Sequence, residues 1–162
     1  MPVKEYHRPS SLDKALGLSA EYGDALEVIA GGTITIQAIN EGNKFPERVM
    51  GLREAGLNFV EQSNGSLKLG PTLTLTQVLD EVDEPLLKEA ARHTGSWAIR
   101  NMGTVGGNLF ALPGMGDLAV ALLALDAEVQ IQSVSEKRWV PISDFYTGPG
   151  TTAVNPDELV TE

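Results

Sequence analysis

The spacing of apolar residues changes rhythm several times along this chain, and each change marks an element. Residues 3–7 alternate briefly and stop at Pro9, which predicts a short strand. Ser10 and Ser11 then offer N-caps, and Asp13 suits the positive end of a helix dipole. Leu12, Ala15, Leu16 and Ser19 share one face, and Gly23 stands where a helix ends. Leu26-Glu27-Val28-Ile29-Ala30 predicts a buried strand running into Gly31-Gly32-Thr33. Residues 33–40 fit two rhythms. Ile34-Thr35-Ile36 has strand propensity, whereas Ile36, Ala38 and Ile39 suit a short helix capped by Thr33, and the helix is preferred. A loop over 41–46 and a third strand over 48–52 follow.

The remainder has a different texture. Two strands, 57–62 and 66–70, flank Asn64-Gly65, a strong hairpin signal. Thr74 caps a helix through Val82. Pro85 opens another, with Leu86, Leu87, Ala90 and Ala91 inward and Gly95 at its end. A markedly apolar helix is predicted over 117–126, then strands over 128–133 and 140–145. The change in texture puts a boundary near residue 55, dividing the chain into parts 1–55 and 56–162.

The most distinctive stretch is Ile99-Arg100-Asn101-Met102-Gly103-Thr104-Val105-Gly106-Gly107-Asn108, read as a glycine-dense turn. Glycine lets a backbone approach a bulky anion, and successive N–H groups in such a turn make a nest for phosphate oxygens. Ala30-Gly31-Gly32-Thr33 is a second, shorter example. Either alone reads as an ordinary tight turn, hairpin or bulge. Together, each with a hydroxyl (Thr33, Thr104), they point to one ligand with two phosphates held between them. Neither is a Walker loop or a Rossmann fingerprint, so a dinucleotide site here uses another fold. Asp117, at the entry to the apolar helix, reads either as a dipole residue or as a carboxylate accepting a ribose hydroxyl.

Other chemistry is thin. His7 and His93 lack a partner at suggestive local spacing, and Trp97 and Trp139 read as core or interface residues. The acidic cluster Asp80, Glu81, Asp83 and Glu84 reads as a solvated helix end. With 162 residues and a formal charge of −10, the chain is one domain or two small parts, and has no basic patch for nucleic acid. An anionic ligand is therefore expected to rely on backbone donors and a few cations such as Arg100. There is no cysteine, which excludes disulfides, thiolate catalysis and iron–sulfur ligation by this chain. No signal core and no membrane-length apolar run is found, and a cytoplasmic location is the expectation.

On these residues the chain resembles the FAD-binding subunits of molybdenum hydroxylases, which include the medium subunit of aerobic carbon monoxide dehydrogenase and the flavin portion of xanthine dehydrogenase. Tyr6-His7-Arg8-Pro9-Ser10-Ser11-Leu12 resembles the family's opening, and Ala30-Gly31-Gly32-Thr33 its first flavin loop. Ile99-Arg100-Asn101 with Gly103-Thr104-Val105-Gly106-Gly107-Asn108 resembles its second loop. Asp117, Leu122-Leu123-Ala124-Leu125-Asp126-Ala127, Val140-Pro141-Ile142-Ser143-Asp144-Phe145 and Thr147-Gly148-Pro149-Gly150 follow in the family's order.

The resemblance implies an α+β, two-subdomain FAD-binding fold of the PCMH and vanillyl-alcohol oxidase type. A small three-stranded N-terminal subdomain packs on a larger, mostly antiparallel sheet with helices. It implies non-covalent FAD between the parts, with Ile29, Ala30, Gly31, Gly32, Thr33, Ile34, Thr35 and Ile36 in the first loop. Thr104, Val105, Gly106, Gly107 and Asn108 form the second loop, and Asp117 lies near the ribose. It implies no catalytic side chain and no metal ligand in this chain. Molybdopterin and iron–sulfur clusters are expected in partner subunits, with electrons passing from the clusters through FAD to an acceptor. A flavin-free docking module of such a complex is the second expectation. Three departures stand out. Ile34 replaces a frequent Asp or Ser, Leu112-Pro113-Gly114 replaces a frequent Ala-Ser-Pro, and family members continue into a C-terminal domain beyond this sequence.

Overall fold

The computed structural model describes residues 3–111 and 116–162. The Leu112-Pro113-Gly114 departure lies outside the described residues.

The first part is a parallel sheet with one helix over it. Strands β1 (Glu5–His7), β2 (Leu26–Ile29) and β3 (Arg48–Gly51) form a three-stranded sheet in the order β1-β3-β2. Helix α1 (Leu12–Tyr22) starts as expected, with the Ser11 hydroxyl accepting from the Lys14 N–H, and ends at Gly23, whose φ is +48°. Its Ala15 and Leu16 are buried with Leu26, Met50 and Leu52. Leu57 and Leu159 complete the same cluster.

Helix α2 (Thr35–Asn40) confirms the helical choice for 33–40, but Thr33 does not cap it. The N-cap is Ile34, which has no side-chain oxygen to offer, so the first amides are left to other partners.

The second part begins with the hairpin β4 (Val60–Ser63) and β5 (Ser66–Leu69), turned through Asn64 and Gly65 at φ of 50° and 80°. Helix α3 (Leu75–Glu81) carries a full capping box between Thr74 and Gln77. Helix α4 (Pro85–His93) buries Leu87 and Ala91, but Leu86 is 40% exposed, contrary to the pattern read from the sequence. The glycine-dense stretch is not one turn. It holds two short helices, α5 (Trp97–Arg100) and α6 (Val105–Leu109), capped by Ser96 and Thr104. Helix α7 (Asp117–Ala124) packs on α4 and α6.

Strands β6 (Glu128–Gln132) and β7 (Lys137–Pro141) pair antiparallel. The strand expected over 140–145 therefore starts and ends earlier. Pro141, with no N–H to donate, closes β7 at the sheet edge. Residues Ile142–Phe145 turn into a one-turn helix, α8, that buries Ile142 and Phe145. A small hairpin, β8 (Tyr146–Gly148) and β9 (Thr151–Thr152), follows, and β10 (Leu159–Val160) adds to β6. The result is an α+β fold of two sheet-based parts.

Candidate functional site

Strand β2 aims the first glycine loop at the second. Ile29 is buried at the strand end, and the chain then bends through Ala30, Gly31 and Gly32. A Cβ on Gly31 would stand 2.9 Å from the Met102 carbonyl carbon and 3.1 Å from Gly103 Cα, and closer still to the Met102 carbonyl oxygen. The two loops therefore touch backbone to backbone, and glycine is what permits it. Gly32 sits at φ +75°, in the left-handed region. Beside this contact lies an open cleft of about 480 Å³, formed by the first glycine loop and by Ile36, Gln37, Asn40 and Glu41 of the following segment, with Met102 the one lining residue from the second loop among the described residues.

The amides of the two loops are in different states. Among the described residues, no acceptor is found for the N–H groups of Gly32, Thr33 and Ile34. Three successive open amides, beginning at a left-handed glycine, have the character of an anion nest. In the second loop the donors are already engaged. Val105 N–H bonds Leu73 O at 2.9 Å, and Gly106 N–H bonds Pro71 O at 2.8 Å. Gly107 N–H bonds the Thr104 hydroxyl at 3.1 Å.

The glycines of α6 accordingly have separate reasons. A Cβ on Gly106 would stand 2.7 Å from Pro71 Cβ and 2.9 Å from Pro71 O, so this glycine serves packing of the protein on itself. A Cβ on Gly107 would meet only the Thr104 hydroxyl, at 3.0 Å, and Gly107 is half-buried. Asn108 is buried, and its Oδ1 accepts from Leu118 N–H. Asp117 is exposed at the start of α7, with the Thr94 hydroxyl 3.4 Å from its Oδ2.

Arg100 is tethered within the fold through one guanidinium nitrogen. Its Nη1 donates to the carbonyls of Arg92 (3.2 Å) and Gly95 (2.7 Å), closing the end of α4. Met102, which the sequence did not single out, lines the cleft and supplies the carbonyl that meets Gly31. Its only sequence signal is its place between Asn101 and Gly103. The histidines lie elsewhere. His7 stacks on Tyr22 with ring centroids 5.5 Å apart, and His93 pairs with Glu89 at 2.8 Å. Trp97 is 71% exposed, and Trp139 lies under the Lys68 ammonium, 5.8 Å from its ring centroid. Among the described residues no cluster of His, Asp and Glu is arranged to hold a metal, and no helix is long and apolar enough to cross a membrane.

This arrangement of loops and sheets is that of a known class of flavin-binding domain. Residues 2–162 match the family described as the FAD binding domain in molybdopterin dehydrogenase, and the chain belongs to that family. The chain is 32% identical over 170 residues to the nicotinate dehydrogenase FAD-subunit of Eubacterium barkeri, covering 98% of this chain and 56% of that protein. It is 32% identical over 163 residues to the xanthine dehydrogenase FAD-binding subunit of Escherichia coli O157:H7, covering 96% of this chain and 55% of that protein. Among solved structures, a cyanide-inactivated Cu,Mo-CO dehydrogenase superimposes with a TM-score of 0.92 at 28% identity, over 99% of this chain and 59% of that one. Quinoline 2-oxidoreductase from Pseudomonas putida 86 does so with a TM-score of 0.91 at 26% identity, over 98% and 57%. The chain thus spans little more than half the length of the relatives it matches.

Proposed function

We propose that this chain is the FAD-holding part of a molybdenum hydroxylase-type dehydrogenase and binds the cofactor non-covalently between its two parts, 1–55 and 56–162. The observation that carries this reading is the backbone contact of Gly31 with Met102 and Gly103, beside a cleft lined by Gly32 and Thr33, whose N–H groups, like that of Ile34, have no acceptor among the described residues. Those amides fit a pyrophosphate, whose oxygens need several donors and little bulk.

In this reading the segment from Ile29 through Ala30, Thr35 and Ile36 forms one wall. Thr104, Val105, Gly106, Gly107 and Asn108 form the other, and Asp117 accepts a ribose hydroxyl. Because Val105, Gly106 and Gly107 already donate within the fold, the second wall acts mainly by shape, and the first carries most of the hydrogen bonding. Ile34 adds an apolar side chain where an oxygen would have competed for the same amides.

Bound FAD would supply the redox chemistry, taking electrons from iron–sulfur clusters of a partner subunit that also serve a molybdopterin subunit, and passing them to an acceptor. The protein's part is to hold and orient the cofactor, and no side chain is assigned as acid or base.

FAD titration of the full chain, followed by flavin fluorescence and thermal melting, tests the reading. Saturable binding with a rise in melting temperature is expected. Saturating FAD that neither binds nor stabilises would overturn it and favour a flavin-free docking module. Gly107→Asp sets a carboxylate at the second wall with only the Thr104 hydroxyl to displace. It is expected to keep the fold and abolish binding, and unchanged affinity would remove the second loop from the site.

A further inference from the structure

Among the described residues, helix α7 has no side-chain cap from its own N-terminus. Its N-cap is Gly116, which carries no side chain, yet the Leu118 N–H in its first turn is satisfied. The acceptor is Oδ1 of Asn108, at 3.1 Å, from inside the neighbouring helix α6. An N-cap side chain ordinarily makes this bond to its own helix. Gly116 also makes room for the arrangement. A Cβ there would stand 2.7 Å from the Asn108 carbonyl oxygen and 3.3 Å from its Oδ1. Asn108 is 8% exposed, so water competes little for the bond. Asp117, an exposed residue, lies between the two residues that Asn108 touches, and at its Oδ2 the carboxylate accepts a long bond from the Thr94 hydroxyl, at 3.4 Å.

We infer that Asn108 is a positioning residue: it caps α7 from outside and thereby sets the direction of the Asp117 carboxylate toward the ribose of the cofactor. The inference rests on the flavin reading above for the role of Asp117. It makes the second glycine segment and the ribose-side carboxylate one unit, in which a side chain on α6 decides where the first residue of α7 points.

The test uses the full chain with hydrogen exchange at Leu118 and FAD dissociation constants. Asn108→Leu keeps the volume and removes the acceptor, whereas Asn108→Asp keeps an acceptor oxygen. Exchange at Leu118 is expected to accelerate about tenfold in Asn108→Leu and to stay slow in Asn108→Asp, since losing one cap bond is an effect of that order. Asp117→Asn is expected to weaken FAD about tenfold in the wild-type background and to have little effect beside Asn108→Leu. Unchanged exchange in Asn108→Leu, or an Asp117→Asn loss of equal size in both backgrounds, overturns the inference. If Asn108→Leu does not fold, Gly116→Ala takes its place, because it displaces Asn108 without deleting its side chain. There too an undiminished Asp117→Asn loss overturns the inference. If the wild type binds no FAD, the flavin reading fails, and the exchange comparison still decides whether Asn108 caps α7.

Discussion

Replacing Gly31 by Ala tests the contact on which the cofactor cleft depends. The added Cβ would stand 2.9 Å from the Met102 carbonyl carbon and 3.1 Å from Gly103 Cα. Comfortable contacts begin near ~3.5 Å, and the Met102 carbonyl oxygen is nearer still than these two carbons, so the loops must part by about an ångström or more. Both neighbours are backbone, and no rotamer change relieves the clash. Overpacking costs about 1–3 kcal/mol, and the upper part of that range is expected where backbone meets backbone. The parted loops would also misplace at least one amide against the pyrophosphate. A hydrogen bond to a charged group contributes about 1.5–3 kcal/mol, which corresponds to at least a tenfold weaker Kd. Urea unfolding followed by circular dichroism gives the first quantity, and flavin fluorescence titration gives the second. A Gly31→Ala protein within about 0.5 kcal/mol of wild type that binds FAD equally well would refute the loop-contact reasoning.

Three further substitutions probe separate features. Gly17 lies inside α1, and a Cβ added there would meet nothing within 4 Å, so Gly17→Ala should stabilise the protein, by about 0.5–1 kcal/mol, in the same urea experiment. Arg138 grips the buried Glu158 carboxylate at 3.2 and 2.7 Å and donates to Ala153 O at 2.8 Å. Arg138→Met should cost about 3 kcal/mol by leaving that carboxylate without its cation and with only the Asn155 N–H, at 2.8 Å, among the described residues, and a loss under about 1 kcal/mol would mean water reaches it. Burial pushes the Tyr146 phenol above its ordinary range, and its hydroxyl donates to Leu109 O at 2.9 Å. The folded state thus holds this proton more tightly than the unfolded chain. The resulting stability is full below the ordinary tyrosine range and falls as pH rises through the folded value. Tyr146→Phe should lower stability by about 1 kcal/mol at neutral pH and flatten the alkaline decline in melting temperature, whereas an unaltered decline would assign it to other groups.

Local chemistry made much of the fold legible in the sequence. Ser11, the Thr74 and Gln77 capping box and the Asn64-Gly65 turn each act within a few residues, so their patterns stand in the chain itself. Helices α5 and α6 were not legible because four or five residues show no periodic face. Strand β7 was misplaced because it is an edge strand opening on Lys137 and Arg138, with Trp139 partly exposed, so its pattern lacks a clean apolar run. At the site, the glycine pairs were visible but their reasons were not. Pro71 against Gly106, the engaged amides of Val105 and Gly107, and Arg100 closing α4 are all contacts that only the folded chain creates. Local spacing could not show that Gly31 meets Met102, because the two residues are brought together by tertiary structure alone.

Strand β10 joins regions that the chain makes at very different times. Leu159 completes the cluster beneath α1 and the first sheet, while its neighbour Val160 belongs to the cluster around Phe145. On the ribosome, the opening strands and α1 emerge early but lack this last apolar contact until Leu159 has been translated. The N-terminal sheet is therefore expected to mature late rather than to fold first as an independent seed.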